Sequence, residues 1–227
     1  MKRSRINDIM AEADDIIRHH GFTLPPFAYW SPDEFKARTD AKRIIDARLG
    51  WDITDYGQRQ YDTQGLFLFT LRNGSLADLQ RGRGMVYAEK LLISKEDQLS
   101  PCHTHVIKTE DIINRGGATL AIELYGSDDD GNFAEDQGGT VLCDGIARPY
   151  APGEVLKFAP GESVTLEPGD WHAFWGEGGD VLVGEVSTVN DDLTDNIFRE
   201  PIGRFADVEE DVAPTHLLVS DYDRWLT

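Results

Sequence analysis

Apolar residues near the start of the chain recur at helical spacing. They lie at Ile6, Ile9, Met10, Ala13, Ile16 and Ile17. This spacing places them on one face of an α-helix, and Gly21 follows where such a helix is expected to end. At Ser31-Pro32-Asp33-Glu34 a hydroxyl residue precedes a proline and two acids, a pattern typical of a second helix start. We therefore expect helices within residues 1–60.

From about residue 64 the pattern changes to short apolar or alternating runs separated by Gly, Pro and Asp. The first run covers 66–71 and ends at the turn sequence Arg72-Asn73-Gly74. Further runs lie at 85–93, 103–109, 118–125, 140–143, 154–158, 163–167, 171–175 and 181–189. Many short strands with turn signals and almost no helical periodicity predict a mainly β sandwich or barrel.

One domain accounts for this pattern. A chain of 227 residues, 40% of them hydrophobic, is long enough to bury a single sizeable core. We predict one domain over 1–227, with an N-terminal helical region at 1–60 and a β-barrel core at 61–200. The remaining segment, 201–227, is expected to pack on the barrel.

Charge and targeting signals narrow the choice of partners. Acidic residues outnumber basic ones by 41 to 22, and the net charge of −19 would repel nucleic acid and anionic membranes. The same charge disfavours a phosphorylated substrate unless a local arginine cluster attracts it. No stretch reaches the length of a membrane span, and the first residues carry no apolar signal core. With Cys102 and Cys143 expected as reduced thiols, we predict a cytoplasmic protein without nucleic-acid or membrane partners.

The strongest chemical signal lies at His103-Thr104-His105, with Glu110 shortly afterwards. Alternate side chains of a strand share a face, so His103 and His105 can bind one ion through neutral ring nitrogens. Glu110 has the opposite parity and needs a bulge, or a turn into the next strand, to reach the same ion. Cys102 also has the opposite parity, which argues against ligation.

A third imidazole is expected from a distant part of the chain. The turn sequence Pro168-Gly169-Asp170 would deliver His172 at the start of a strand. Three imidazoles and one carboxylate fill four positions of a six-coordinate ion and leave two for substrate or water. Such donors suit Mn²⁺, Fe²⁺, Co²⁺, Ni²⁺ or Zn²⁺. The sequence thus predicts one divalent metal per chain, bound by His103, His105, Glu110 and His172.

These residues resemble the two sequence motifs of the cupins, a family of small antiparallel jelly-roll β-barrels. The first motif is matched by His103, His105, Glu110 and Gly117. The second motif is matched by Gly161, Gly169 and His172. Asp97 and Gly176 replace a usual glycine and a usual asparagine, and Pro168 is displaced by one position. These departures affect turns and not ligands, so the resemblance implies a cupin fold with N-terminal helices.

The resemblance extends over the whole chain, through 184–192 and 195–198, to the bacterial D-lyxose isomerases of the cupin type. Members of that family interconvert D-lyxose with D-xylulose and, more slowly, D-mannose with D-fructose. They are manganese-dependent homodimers. The resemblance therefore implies a metal-dependent aldose–ketose isomerase with Mn²⁺, a free monosaccharide substrate and a homodimeric assembly.

Such a reaction moves a proton between C1 and C2. It needs a metal that polarises O1 and O2, and a general base beside the C1–C2 bond. Glu185 is the preferred base, since it lies on the strand predicted to follow the third histidine, and Asp195 is the second candidate. Lys108 is expected beside the metal, because a strand would place it on the same face as Glu110. Lys90 is expected to line the same barrel as a donor to sugar hydroxyls.

Several alternatives stay open on the sequence. A cupin dioxygenase would use Fe²⁺ with similar ligands and consume oxygen, whereas a non-catalytic cupin would bind a sugar without converting it. A phosphosugar isomerase would be inhibited by sugar phosphates. Trp171, Phe174 and Trp175 are equally candidates for a sugar-stacking surface and for ordinary barrel core. Proton transfer through an enediol and a hydride shift are both compatible with the sequence.

Overall fold

The computed structural model describes residues 1–226. Within them the helices are α1 (Arg3–His19), α2 (Pro32–Lys36), α3 (Lys42–Asp46), α4 (Leu76–Arg81) and α5 (Tyr222–Trp225), with 3₁₀ turns at Pro26–Tyr29 and Val219–Asp221. The strands are β1 (Gly50–Thr54), β2 (Leu66–Asn73), β3 (Tyr87–Ser94), β4 (Ser100–His105), β5 (Glu110–Tyr125), β6 (Gly139–Cys143), β7 (Ile146–Tyr150), β8 (Glu154–Phe158), β9 (Ser163–Leu166), β10 (Trp171–Thr188) and β11 (Asn196–Phe198). The named strands pair antiparallel, and the predicted mainly β fold is confirmed.

Both predicted helix starts near the N-terminus are confirmed. The apolar face of α1 is the face that the protein buries, against β1, β2 and β3. At α2 the Ser31 hydroxyl accepts a hydrogen bond from the Glu34 amide at 3.3 Å. The Glu34 carboxylate accepts one from the Ser31 amide at 2.8 Å, which completes a capping box.

Strands β2 and β3 are buried on both faces, and their alternation decides which side chains enter the barrel. Phe67 and Phe69 of β2 pack outward in the cluster that contains α1. On β3, Leu91 points outward in the same way. Because successive side chains of a strand point to opposite faces, Lys90 then points into the barrel. A lysine at the centre of an apolar strand is thus directed to the cavity.

The long strands β5 and β10 form the spine of the barrel. They pair from Trp171 opposite Tyr125 to Ser187 opposite Glu110, so the runs predicted at 171–175 and 181–189 form one strand. The first part of β10 also pairs with β4 and the later part with β3, with register shifts between them that bend the strand. At this bend Gly117 adopts φ +102°, and a Cβ there would lie 2.2 Å from the Asp180 carbonyl oxygen. The cupin-motif glycine is therefore required by close backbone approach.

Three elements differ from the prediction. Strand β1 lies inside the region expected to be helical, because Gly50–Thr54 pairs with β2 and closes the edge under α1. Helix α4 interrupts the predicted strands, with Ser75 as its N-cap and Gly82 at φ +63° behind it. Strand β7 pairs with β6, although its residues are largely exposed and show little apolar pattern.

Two further features concern turns and the C-terminal segment. Asp97, which replaces a motif glycine, adopts φ +56°, a left-handed conformation that aspartate tolerates better than most residues. Leu217, Leu218 and Val219 are buried, so this part of the C-terminal segment packs on the rest of the chain. Thr227, the last residue of that predicted segment, lies outside the described residues. No helix within residues 1–226 is long and apolar enough to cross a membrane.

Candidate metal centre and active-site cavity

The structure brings together the four residues that the sequence predicts as metal ligands. His103 and His105 lie on β4, and His172 of β10 stands directly opposite His103 in the strand register. Glu110 begins β5 after the turn at 106–109, which resolves its opposite parity. One ligand atom from each residue lies within 4.8 Å of the others. Two adjacent strands and one tight turn therefore build the cluster.

Hydrogen bonds to backbone carbonyls orient two of the imidazoles, those of His103 and His172. The Nδ1 atom of His103 lies 2.8 Å from the Pro101 carbonyl, and that of His172 lies 3.1 Å from the Asp170 carbonyl. An Nδ1–H that donates to a carbonyl leaves Nε2 with its lone pair free. The Nε2 atom of His172 is buried and has no hydrogen-bond partner within residues 1–226. A buried lone pair beside two other imidazoles and a carboxylate fits a divalent cation.

Glu110 joins this cluster to a neighbouring lysine. Its Oε1 atom lies 3.1 Å from His105 Nε2, and its Oε2 atom lies 2.6 Å from Lys108 Nζ. Burial would raise the pKa of Glu110, but the charge of Lys108 and contacts with His105 hold that pKa well below its usual range. Burial would lower the pKa of Lys108, yet Glu110 and Glu185 raise it above the ordinary lysine value. Glu110 is thus a carboxylate and Lys108 an ammonium group.

Six charged side chains in and around the cavity form an ion-pair chain of strictly alternating sign. In order, they are Glu110, Lys108, Glu185, Lys90, Asp192 and Arg204. The successive nitrogen–oxygen distances are 2.6, 3.1, 3.3, 3.7 and 3.2 Å. Because burial makes uncompensated charge costly, this alternation is what allows six ionised groups to share one interior region.

Within this chain the two oxygens of Glu185 have different surroundings. Oε1 lies 3.1 Å from Lys108 Nζ and 3.3 Å from Lys90 Nζ, and it accepts a hydrogen bond from Ser187 at 3.2 Å. Oε2 has no such partner in the part of the chain that the structure describes. One oxygen therefore anchors the side chain, and the other is free to exchange a proton.

Asp195 lies beside the cluster, but its oxygens already have several partners. Oδ1 accepts hydrogen bonds from the amides of Val106 and Ile107 at 3.1 and 2.8 Å, and Oδ2 accepts one from the Lys108 amide at 3.2 Å. Oδ2 also lies 3.8 Å from Nδ1 of His105. Asp195 thus holds the turn between β4 and β5, and its carboxylate lies near the imidazole of His105 without a hydrogen bond to it.

Two members of the ion-pair chain, Asp192 and Arg204, were not predicted. Asp192 follows β10 in an irregular loop, and Arg204 lies in the C-terminal coil, where no periodicity indicates a direction. Of the three aromatic candidates, Phe174 lines the cavity, whereas Trp171 donates to Ser127 elsewhere. Cys102 lies outside the ligand cluster, and burial raises the pKa of its thiol to about 12.

Comparison with known proteins gives the family. The model of the D-lyxose isomerase family matches residues 1–222. A D-lyxose/D-mannose isomerase of Serratia proteamaculans is 44% identical over 230 residues, and the match covers 100% of both chains. One from Escherichia coli O157:H7 is 42% identical over 226 residues, covering 98% of both chains.

Solved structures with the same fold include L-ribose isomerases. Those of Cellulomonas parahominis and Geodermatophilus obscurus superpose with a TM-score of 0.62 at 17% identity, over 92% of this chain and 98% of theirs. This likeness shows that the chain shares their fold, which is the mainly β fold that the sequence predicts. With the fold and the full-length sequence matches together, the chain belongs to the D-lyxose isomerase family of sugar isomerases.

Proposed function

We propose that the protein is a metal-dependent aldose–ketose isomerase that interconverts D-lyxose and D-xylulose, and D-mannose and D-fructose more slowly. The observation that carries this proposal is Glu185, whose Oε2 accepts no hydrogen bond from residues 1–226, in the cavity that His103, His105 and Glu110 also line. The names of the relatives support the choice of sugars. A carboxylate base beside a metal site is the arrangement that proton transfer next to a carbonyl requires.

The metal that His103, His105, Glu110 and His172 would hold supplies Lewis-acid polarisation of the substrate oxygens O1 and O2. Oε2 of Glu185 removes the proton from C2 of the aldose, the C2–H electron pair forms the C1–C2 double bond, and the π pair of the C1 carbonyl moves onto O1. The proton of the C2 hydroxyl passes from O2 to O1, an O2 electron pair forms the C2 carbonyl, and the C1–C2 π pair takes the proton back from Glu185 at C1. Proton and electrons balance within the sugar, and Glu185 ends each turnover as a carboxylate.

Lys108 and Lys90 keep this base in place. Both ammonium groups contact Oε1 of Glu185, so they fix the carboxylate while leaving Oε2 unhindered. Lys108 stays protonated because two carboxylates surround it, and it can donate to a substrate oxygen as negative charge develops there. Lys90 is further held by Asn190, whose Oδ1 atom lies 2.7 Å from its Nζ.

For Asp195 the contacts favour a positioning role over that of a second base. Its oxygens accept three backbone hydrogen bonds from the turn that carries Lys108 and Glu110. Its Oδ2 faces the Nδ1 atom of His105, where carboxylates commonly orient a metal-binding imidazole. We assign Asp195 to the support of that ligand and that turn.

The cofactor, the assembly and the compartment belong to the same proposal. Mn²⁺ is the metal that the family resemblance implies, and the nitrogen and oxygen donors are compatible with it.

A homodimer is supported by three exposed apolar residues on adjacent loops: Val106, Ile107 and Leu193 are 53, 54 and 59% exposed. Cys102 and Cys143 are free thiols, as expected in a cytoplasmic protein.

The test uses the full chain, stripped with a chelator and reloaded with Mn²⁺. We expect D-lyxose to yield D-xylulose only after metal is restored, and the product formed in D₂O to carry deuterium at C1. Deuterium incorporation supports proton transfer through Glu185, whereas a product without deuterium would indicate a hydride shift. Full metal occupancy without ketose from D-lyxose or D-mannose would overturn the isomerase proposal. Oxygen uptake with Fe²⁺ would then favour the dioxygenase, and sugar binding without conversion the non-catalytic cupin.

A further inference from the structure

We propose that Arg204 determines substrate selectivity, by binding hydroxyl groups of the sugar while its paired charge excludes phosphorylated sugars. This inference rests on the proposed isomerase function and concerns the end of the ion-pair chain opposite Glu110. Arg204 lines the same cavity as His103, Lys108 and Glu185. The proposal rests on the two carboxylates that Arg204 contacts and on its one nitrogen without a partner.

Arg204 is held between two carboxylates by a single nitrogen. Its Nη2 atom lies 2.8 Å from Asp52 Oδ2 and 3.2 Å from Asp192 Oδ1. Nη1 is buried and lacks a hydrogen-bond partner within residues 1–226, and the same is true of Asp52 Oδ1. A donor and an acceptor on two paired side chains are thus both unsatisfied.

Unsatisfied buried polar atoms are uncommon in folded proteins and usually mark a missing water, ion or ligand. A hydroxyl group can accept one hydrogen bond and donate another, so it can satisfy a guanidinium N–H and a carboxylate oxygen together. Sugar hydroxyls on neighbouring carbons offer several such groups on a rigid ring or chain. Of the polar groups available on a free monosaccharide, hydroxyls therefore match the unpaired Nη1 of Arg204, the member of this pair that lines the cavity.

The charge of Arg204 argues against a phosphate at this position. Lys90 and Arg204 flank Asp192 in the alternating chain, and their charges outweigh burial and hold the pKa of the Asp192 carboxyl well below its usual range. The Arg204 charge is therefore already neutralised by an ionised carboxylate. A phosphate group would have to displace Asp192 or approach it closely, and like charges repel strongly where water is scarce.

The first test replaces an arginine at two positions, Arg204 in the cavity and Arg3 outside it. Arg204→Lys and Arg204→Met are compared with Arg3→Lys, because Arg3 also lies between two carboxylates but outside the cavity. We expect the KM for D-lyxose to rise tenfold or more in both Arg204 variants, with kcat within threefold and metal content unchanged. Arg3→Lys should keep the wild-type KM. An unchanged KM in the Arg204 variants would overturn the inference.

The second test measures exclusion of phosphate and keeps Arg204 in place. Inorganic phosphate and D-mannose 6-phosphate should not inhibit the Mn²⁺-loaded wild type, even at the concentration at which free D-mannose saturates the enzyme. In Asp192→Asn both should become competitive inhibitors, because Lys90 and Arg204 lose a shared negative partner. Inhibition of the wild type as strong as that of the variant, or no inhibition of the variant, would contradict the role of the paired charge.

A binding measurement separates this inference from the proposed function. The full chain with Glu185→Gln, loaded with Mn²⁺, is titrated with D-lyxose by calorimetry, with and without Arg204→Lys. Weaker binding by tenfold or more in the double variant supports the role of Arg204 even if the wild type forms no ketose. Equal binding would overturn that role even in an active isomerase.

Discussion

Two largely buried arginines, each placed between two carboxylates, differ in how completely they are bonded. Arg3, at the start of α1, contacts Glu210 and Asp221 through Nε, Nη1 and Nη2 at 2.8 to 2.9 Å, and its side chain is fully buried. We call this group the terminal clamp. Arg204 contacts its two carboxylates through Nη2 alone and leaves Nη1 without a partner. The complete network joins the two ends of the chain, whereas the incomplete one lines a cavity.

This difference separates structural charge from functional charge. In the terminal clamp every guanidinium nitrogen has a partner, so nothing remains for a ligand to bind. In the ion-pair chain Arg204 Nη1 and the adjacent Asp52 Oδ1 are buried without hydrogen-bond partners among residues 1–226, and the hydrogen bonds to Glu185 fall on Oε1. Burial makes such gaps unfavourable, and we propose that the substrate fills those that face the cavity. The following variants test whether the two networks really divide in this way.

The largest effect is expected from Glu185→Gln. Glutamine keeps the shape of the side chain but cannot accept the C2 proton, so kcat should fall about 1,000-fold, or about 4 kcal/mol, with metal content intact. The matched control is Glu177→Gln, an exposed glutamate on the same strand that pairs with Lys157. Steady-state kinetics and metal analysis of both variants provide the measurement. Near-wild-type turnover in Glu185→Gln would remove this residue from the mechanism.

Arg3→Met should give the next largest effect, on stability and not on catalysis. Removing the arginine leaves Glu210 and Asp221 facing each other in a largely buried site, at an expected cost of about 3 kcal/mol in the free energy of unfolding. KM and kcat of the folded enzyme should stay unchanged. Chemical denaturation checks this, with Arg5→Met as a control whose exposed ion pairs contribute less than about 1 kcal/mol. A raised KM in Arg3→Met would break the proposed division.

Asp195→Asn should act on metal binding. An amide keeps one acceptor for the turn amides but loses the negative charge beside His105. The Kd for the metal should therefore rise about 10- to 100-fold. Asp191→Asn is the matched control, since Asp191 accepts hydrogen bonds from Leu193 and Thr194 in the same loop and contacts no candidate ligand. Titration of the chelator-stripped protein with Mn²⁺ measures both. Equal affinity in the two variants would leave Asp195 with a purely local role.

The smallest expected effect is the pH dependence of the terminal clamp. A hydrogen bond from Arg3 lowers the pKa of Glu210 below its ordinary value of 4.5. Its contribution to stability is therefore fully present above that value and is lost as the pH falls through the lower pKa of the folded state. The gap in Tm between wild type and Arg3→Met should narrow from about pH 6 to about pH 3. A constant gap over that range would show that Glu210 does not titrate against Arg3.

Part of the fold and site was predictable because it depends on short-range periodicity. Helical spacing predicted α1, and strand parity predicted that His103 and His105 share a face. Lys108 lies beside Glu110 as expected, but strand parity is not the cause. It lies in a turn and not in a strand, and Asp195 holds that turn so that Lys108 meets Glu110. Parity arguments fail in turns, where the backbone follows no fixed period.

What the sequence determined by itself is therefore the chemistry of the ligands and the class of fold. Residue types, their spacing and the cupin motifs specify these features, because neighbours along a strand keep a fixed geometry. Only the tertiary structure decided which side chains form the ion-pair chain, and that Arg204 Nη1 has no partner at the end of that chain. Arg204 meets Asp52 across 152 positions, and Asp192 reaches both Lys90 and Arg204 from an irregular loop. Such contacts depend on how the barrel closes and on the low dielectric inside it, and no local pattern records either.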